Sequence, residues 1–280
     1  MINGLCWHVR EDGAASSPPL LLLHGFTGCT AFWDDVVEIL QHSFRCIRVD
    51  LPGHGRTETP ATAEACTLES VSQSLAVVLD RCDVARTHLW GYSMGGRLAL
   101  YAALAFPDRF DRLILESASP GIADPVERVK RHQDDERLAD SIERDGVATF
   151  VDRWMSQPLF IHQTKMPPAK QAQARSWRLA NSAAGLATCL RGMGAGAQKP
   201  LYSRLPELGR PTLLLVGEHD AKYRAIAAMM EKSLPRATGR VIRDCGHAPD
   251  WEKPESCATA VNEFLSGVNE TEPSGHVLNM

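Results

Sequence analysis

Six short apolar runs punctuate the chain: P-L-L-L-L-H at 19–24, C-I-R-V-D at 46–50, T-H-L-W-G-Y at 87–92, R-L-I-L-E-S at 112–117, T-L-L-L-V-G at 212–217 and R-V-I-R-D-C at 240–245. A strand with one wet face alternates apolar and polar residues, so near-continuous apolar runs of this length imply burial on both faces. Helical patterns lie between them, at 67–80 with Glu69 near the start, at 94–105 stopped before Pro107, and at 254–264 followed by Gly267. Strands covered on both sides and separated by helices predict a doubly wound α/β core around a mostly parallel sheet.

The rhythm breaks at 121–200, where strand-like runs stop. Asp124-Pro125 makes an N-cap and first-turn pair for a helix running toward Gly146, and further helical patterns follow at 147–155 and 169–180. The expected organisation is a core of residues 1–120 and 201–268, an inserted helical lid at 121–200, and a flexible tail at 269–280. A chain of 280 residues suits one such core with an insertion.

Bulk properties exclude several function classes. No apolar run approaches the roughly 20 residues that cross a bilayer, and the N-terminus M-I-N-G-L-C-W-H-V-R has no basic stretch followed by an apolar segment, so no membrane partner and a cytoplasmic location are expected. A formal net charge of −4 argues against nucleic acid as a partner. The eight cysteines contain no C-x-x-C pair, which predicts free, buried thiols and no metal site. No nucleotide-binding loop is visible, and no cofactor is expected.

The chemistry concentrates around G-Y-S-M-G at 91–95, immediately after one strand and before one helix. In that setting G-x-S-x-G predicts a strained elbow that lifts Ser93 off the sheet edge as a nucleophile or base. A serine hydroxyl needs a base, and the base an orienting acid. His247, in C-G-H-A-P, and Asp220, in G-E-H-D, both lie just past strand ends, where open parallel sheets gather their ligands. Taken singly, Asp220 could merely cap the next helix and His247 could be a loop histidine. Together with Ser93, in chain order Ser, Asp, His, they predict a catalytic triad. His219 reads better as a surface residue, and Glu116 ranks below Asp220 as the acid. H-G-F-T-G at 24–28 would set the Phe26 amide opposite the Met94 amide as an oxyanion hole.

These features resemble the α/β-hydrolase superfamily from about residue 20 to 265, and D-L-P-G-H-G at 50–55 is a further match. The resemblance implies the α/β-hydrolase fold with an inserted lid. Arg97, one helical turn beyond Ser93, is foreign to a simple esterase. It either pairs with a carboxylate as buried structure or binds a substrate carboxylate as a bidentate fork.

A narrower resemblance rests on G-Y-S-M-G-G-R, on S-P-G at 119–121, on R-H-Q-D-D-E-R-L-A at 131–139, and on the aromatic pattern from Phe150 to Phe160. R-x-x-N with G-L-A at 178–187, L-R-G-M-G at 190–194 and G-E-H-D-A-K-Y at 217–223 complete it. Spread over core and lid, these segments are similar to the MenH family, the 2-succinyl-6-hydroxy-2,4-cyclohexadiene-1-carboxylate synthases of menaquinone biosynthesis. Asp250 departs from the common G-H-x-x-H continuation after the histidine. The resemblance implies a lyase that expels pyruvate from a small polyanionic substrate by proton abstraction. Ser93, activated by His247 and Asp220, would be the base, and Arg97, Arg131 and Arg178 would hold carboxylates. Tyr92 and Trp154 would line the pocket or simply pack lid on core. Two rivals share the motifs: a hydrolase of anionic esters or of carbon–carbon bonds in vinylogous diketo acids, and a non-catalytic receptor. Oligomeric state is not readable from the sequence.

Overall fold

The structure, a computed structural model, describes residues 1–267. The tail expected at 269–280 lies outside the described residues. Seven strands, β1 (Val9–Asp12), β2 (Pro19–Leu23), β3 (Arg45–Val49), β4 (Thr87–Tyr92), β5 (Phe110–Glu116), β6 (Thr212–Gly217) and β7 (Ala237–Ile242), form one sheet. Their order is β1-β3-β2-β4-β5-β6-β7, all parallel except β1. The chain therefore leaves β2 toward one edge and returns to build β4 toward the other. That reversal puts the carboxyl ends of β2 and β4 side by side, with Leu23 paired to Gly91, at the crevice where such sheets bind ligands.

The pleat sorts each apolar run into two cores, because successive side chains point to opposite faces. Leu21 and Leu23, Ile47 and Val49, Leu113 and Leu115, and Leu214 and Val216 join one cluster. Leu20 and Leu22, Cys46, Ile114, and Leu213 and Leu215 join the other. Helices α2 (Leu68–Arg81) and α3 (Met94–Ala105) cover the first face through Val71, Leu75, Leu98 and Ala102. Helices α1 (Asp34–Leu40) and α9 (Pro254–Leu265) cover the second through Val36, Leu40, Ala258 and Val261. Each fully buried leucine contributes on the order of 2 kcal/mol of transfer free energy, and the double coverage explains why the runs lack polar positions. The edge strands depart from that pattern. β1 reads V-R-E-D, which gave no apolar signal, and β7 begins at Ala237, ahead of the apolar run, with most of its residues exposed.

Between β5 and β6 the chain is helical. α4 (Pro125–Met155) starts as expected, the Asp124 carboxylate accepting the Val126 and Glu127 N–H groups at 2.8 Å. Gly146, with φ 78° and ψ 164°, is non-helical, so α4 consists of two helices meeting at a kink, as the patterns at 125–146 and 147–155 predict. α5 (Pro168–Leu179) and an uncalled α6 (Ala183–Met193) follow. These segments hold their own apolar cluster, with Ile142, Phe150, Val151 and Leu186 at its centre. Asn181 ties the insertion to the sheet side: its Oδ1 accepts the Gly55 N–H at 2.8 Å and its Nδ2 donates to Thr27 O at 3.0 Å. Two further helices, α7 (Ala221–Ser233) and the short α8 (Pro249–Glu252), frame the carboxyl end of β6. All eight cysteines are free thiols; Cys6 is exposed and Cys82 half-buried, the others buried. Among the described residues, no helix is long and apolar enough to cross a membrane.

Candidate active site

Ser93 joins β4 to α3 with φ 52° and ψ −108°, a backbone conformation that costs energy for any residue with a Cβ. The turn is possible because Gly91 and Gly95, two positions to either side, lack side chains. A Cβ on Gly95 would sit 2.1 Å from Leu23 O, and one on Gly91 would sit 2.3 Å from Gly95 O. The turn is pinned by the Ser93 N–H donating to Glu116 O at 2.8 Å.

Ser93, His247 and Asp220 meet at the crevice. His247 Nε2 lies 3.1 Å from Ser93 Oγ, and His247 Nδ1 lies 2.6 Å from Asp220 Oδ2. The other Asp220 oxygen accepts the Tyr223 N–H at 3.2 Å. Asp220 thus caps α7 and contacts the imidazole at once, so its position is compatible with both the structural reading and the chemical one. The imidazole is wedged between rings, with Tyr223 at 4.7 Å and Tyr92 at 5.5 Å between centroids. His247 and Asp220 are both buried. Such an array lets the imidazole take up the serine proton while the carboxylate stabilises the resulting cation.

Phe26 and Met94 flank the serine. Met94 opens α3, so its N–H has no acceptor within the helix. The turn carrying Phe26 is fixed by His24, which accepts the Leu51 N–H on Nε2 at 2.9 Å and lies 2.8 Å from Gly25 O through Nδ1. That pattern demands a neutral imidazole, and burial lowers its pKa accordingly. A Cβ on Gly25 would fall 3.4 Å from Ser93 Cβ, so this turn packs directly on the elbow.

A cavity of about 610 Å³ opens above the serine and is lined by Phe26, Tyr92, Ser93, Met94, Arg97, Arg131, Trp154, Arg178 and His247. All of the sequence-predicted site residues except Asp220 therefore face one space; Asp220 stands behind His247. The three arginines differ in what holds them. Arg97, 9% exposed, donates to Gln198 Oε1 at 2.9 Å and to Met193 O at 2.7 Å, both neutral acceptors. The carboxylate partner weighed for it is absent among the described residues. Arg131 has one instead: its Nε lies 2.7 Å from the buried Asp135, whose second oxygen accepts the Gly196 N–H at 3.1 Å. Arg178, 6% exposed, donates through Nη2 to Gln163 Oε1 at 3.3 Å and stacks 4.7 Å over the Phe32 ring. Its Nε and Nη1 are buried without a hydrogen-bond partner. Burial lowers the pKa of Arg97, and it lowers that of Arg178 to about 10. A desolvated guanidinium with no ion-pair partner costs several kcal/mol, which an anion in the cavity would offset.

Tyr92 and Trp154 serve both readings offered for them. Both line the cavity, and Trp154 also packs on Phe26, Phe150 and Phe160 with centroids 5.5–5.6 Å apart. No motif pointed to Gln198 or Gln163 as holders of the arginines, and L-R-G-M-G did not show that the Met193 carbonyl accepts from Arg97, because these contacts join separate segments. Glu116 accepts from Trp90 and Asp250 and does not touch His247. His219 is exposed and stacks on His162 at 4.4 Å. Among the described residues, the group close enough to share a cation is Glu218, His219 and Asp244, and none of the three lines the cavity.

Comparison with known proteins places this fold in a family. The family model described as alpha/beta hydrolase fold matches residues 18–254. A Bacillus subtilis (strain 168) protein, provisionally named 2-succinyl-6-hydroxy-2,4-cyclohexadiene-1-carboxylate synthase, is 38% identical over 95% of this chain and 97% of its own. The 2-succinyl-6-hydroxy-2,4-cyclohexadiene-1-carboxylate synthase of Salmonella agona (strain SL483) is 32% identical over 90% of this chain and 96% of its own. The solved structure of MenH from S. aureus superposes with a TM-score of 0.88, at 32% identity, covering 93% of this chain and 97% of that one. The chain belongs to the alpha/beta hydrolase fold family and, within it, to the family of the 2-succinyl-6-hydroxy-2,4-cyclohexadiene-1-carboxylate synthases.

Proposed function

We propose that the protein is the lyase of menaquinone biosynthesis that eliminates pyruvate from 2-succinyl-5-enolpyruvyl-6-hydroxy-3-cyclohexene-1-carboxylate to give 2-succinyl-6-hydroxy-2,4-cyclohexadiene-1-carboxylate. The observation that carries this reading is Arg178. Its buried, partly unpartnered guanidinium shares a cavity with Ser93 and His247, so the space suits an anion held beside a base.

The substrate proton at C2 is acidic because it lies next to the succinyl carbonyl. Ser93 Oγ, its own proton drawn to His247 Nε2, takes it, and Asp220 stabilises the imidazolium. The electron pair forms C2=C3, the old C3=C4 bond shifts to C4=C5, and the C5–O bond breaks. The enolpyruvate leaves and becomes pyruvate on protonation. The N–H groups of Phe26 and Met94 would donate to the carbonyl oxygen, where negative charge develops. Arg97, Arg131 and Arg178 would bind the substrate carboxylates, Arg97 and Arg178 with no ion pair to break. Tyr92 and Trp154 would form the apolar walls. Residues 121–200 act as a lid over a core of 1–120 and 201–268, a division supported by the separate apolar cluster of the insertion. No step needs a cofactor or metal. The free thiols fit a reducing compartment, and the cytoplasm is the proposed location.

Pyruvate release from freshly made substrate tests the reading, with a blank to correct for spontaneous breakdown. Release well above the blank, lost in Ser93→Ala, is expected. Release at the blank rate from folded wild-type protein would contradict the lyase assignment.

A further inference from the structure

The cavity wall holds a second charged cluster that the proposed reaction leaves unused. Glu116, at the end of β5, is fully buried; its Oε2 accepts the Trp90 Nε1–H at 2.9 Å and its Oε1 accepts the Asp250 N–H at 2.8 Å. Asp250, on α8, is 2% exposed, lines the cavity, and is held against the Glu116 carboxyl by its own N–H. Its Oδ1 is buried without a partner, and Arg178 on the same wall has two unpartnered donor nitrogens. Acid pair and guanidinium therefore face one space without being joined. This is also the position at which the chain departs from the G-H-x-x-H pattern.

Two buried carboxyls held this close cannot both ionise, so the pair holds one proton at neutral pH and the question is where the second goes. The groups facing Asp250 are Glu116 from β5, Tyr92 from β4, Arg178 and Lys170 from α5, Cys257 from α9, and Glu252 from α8 itself. Lys170 is already engaged by Asp35, at 2.7 Å. Burial dominates this balance and pushes Asp250 up to about 7, with Glu116 well above the carboxylate range.

We propose that the Glu116–Asp250 pair is a proton store for anion binding: when a substrate carboxylate docks on Arg178, Asp250 takes up a proton from solvent. The incoming anion then replaces the Asp250 charge beside the guanidinium instead of adding to it. A new O–H bond forms on Asp250, and the unpartnered Oδ1 is the atom left to carry it. By linkage, anion affinity weakens as pH rises past the Asp250 midpoint. The inference rests on the anionic-substrate reading above, and makes Asp250 a positioning and charge-balancing residue rather than a catalytic one.

Calorimetric titration of the full protein with 2-succinyl-6-hydroxy-2,4-cyclohexadiene-1-carboxylate tests it, run in phosphate and in Tris to count protons from the difference in buffer ionisation heat. Wild type should take up about half a proton per ligand at pH 7, approaching one at pH 8. Asp250→Asn and Asp250→Ala should bind with no uptake. Binding to wild type without uptake, or unchanged uptake in both variants, overturns the proposal, the second result assigning the proton to another group such as His247. If wild type binds succinate but not the cyclohexadiene, the lyase reading fails and the proton count with succinate decides the present one. If neither binds, both fall.

Discussion

At the Ser93 end of the cavity, polar groups find their partners inside the protein: Ser93 meets His247, His247 meets Asp220, and Asp220 meets the Tyr223 N–H. At the Arg178 end they do not. Two guanidinium nitrogens and one Asp250 oxygen are buried and unmatched. Buried polar atoms are nearly always satisfied, so a cluster of exceptions marks a place where stability has been given up for a ligand. The contrast separates two tasks. The serine end is self-contained and could drive proton transfer or acyl chemistry on many substrates, as it does across a fold that hosts many activities. The arginine end lacks partners within the protein, and on the proposed reading a substrate anion supplies them and sets specificity there.

The largest effect should come from the self-contained end. Asp220→Asn keeps a side chain able to cap α7, but an amide favours the wrong imidazole tautomer. Pyruvate release should fall by about 10³-fold with the melting temperature little changed. Sulfonylation of Ser93 by phenylmethylsulfonyl fluoride, a neutral reagent, should slow in parallel. A variant that keeps near-wild-type turnover would break the division at its first step.

A smaller effect should appear at the other end without any substrate. Asp250 binds its proton more tightly folded than unfolded, its value rising from 3.8 to about 7. Its contribution to stability is therefore fully present below about pH 4 and lost as pH rises through 7. Asp250→Asn should gain on wild type by about 2 kcal/mol between pH 5 and pH 8, read from urea unfolding at both values. A constant difference across that range would show that the carboxyl is not held protonated by burial.

The serine end was legible in the sequence because each residue sits just past a strand, and doubly buried strands announce themselves as apolar runs. T-H-L-W-G-Y and T-L-L-L-V-G match β4 and β6 residue for residue. The exposed edges, V-R-E-D in β1 and the start of β7, carry no such signal, since an edge facing solvent has no reason to be apolar. In the insertion, Gly146 reads as a helix end, and its non-helical φ and ψ do break α4 there. The arginines could be named from the motifs, but not their surroundings. Arg97 and Gln198 are 101 positions apart, and Glu116 and Asp250 are 134 apart. No local pattern encodes such long-range pairs. Arg131 differs: Asp135 lies four positions on along the same helix, so that ion pair is a local pattern, whereas Arg178 has no ion-pair partner among the described residues.

The separation of the two ends is tested most directly by Arg178→Ala, measured for pyruvate release and for the rate of Ser93 sulfonylation on the same preparation. One lost charge-assisted contact is worth about 1.5–3 kcal/mol, so kcat/KM for the polyanion should fall about 10- to 100-fold. Sulfonylation should stay within about twofold of wild type, because the neutral reagent needs only the Ser93, His247 and Asp220 array. Equal losses in both reactions would mean that Arg178 supports the whole site rather than the anion, and would contradict the account.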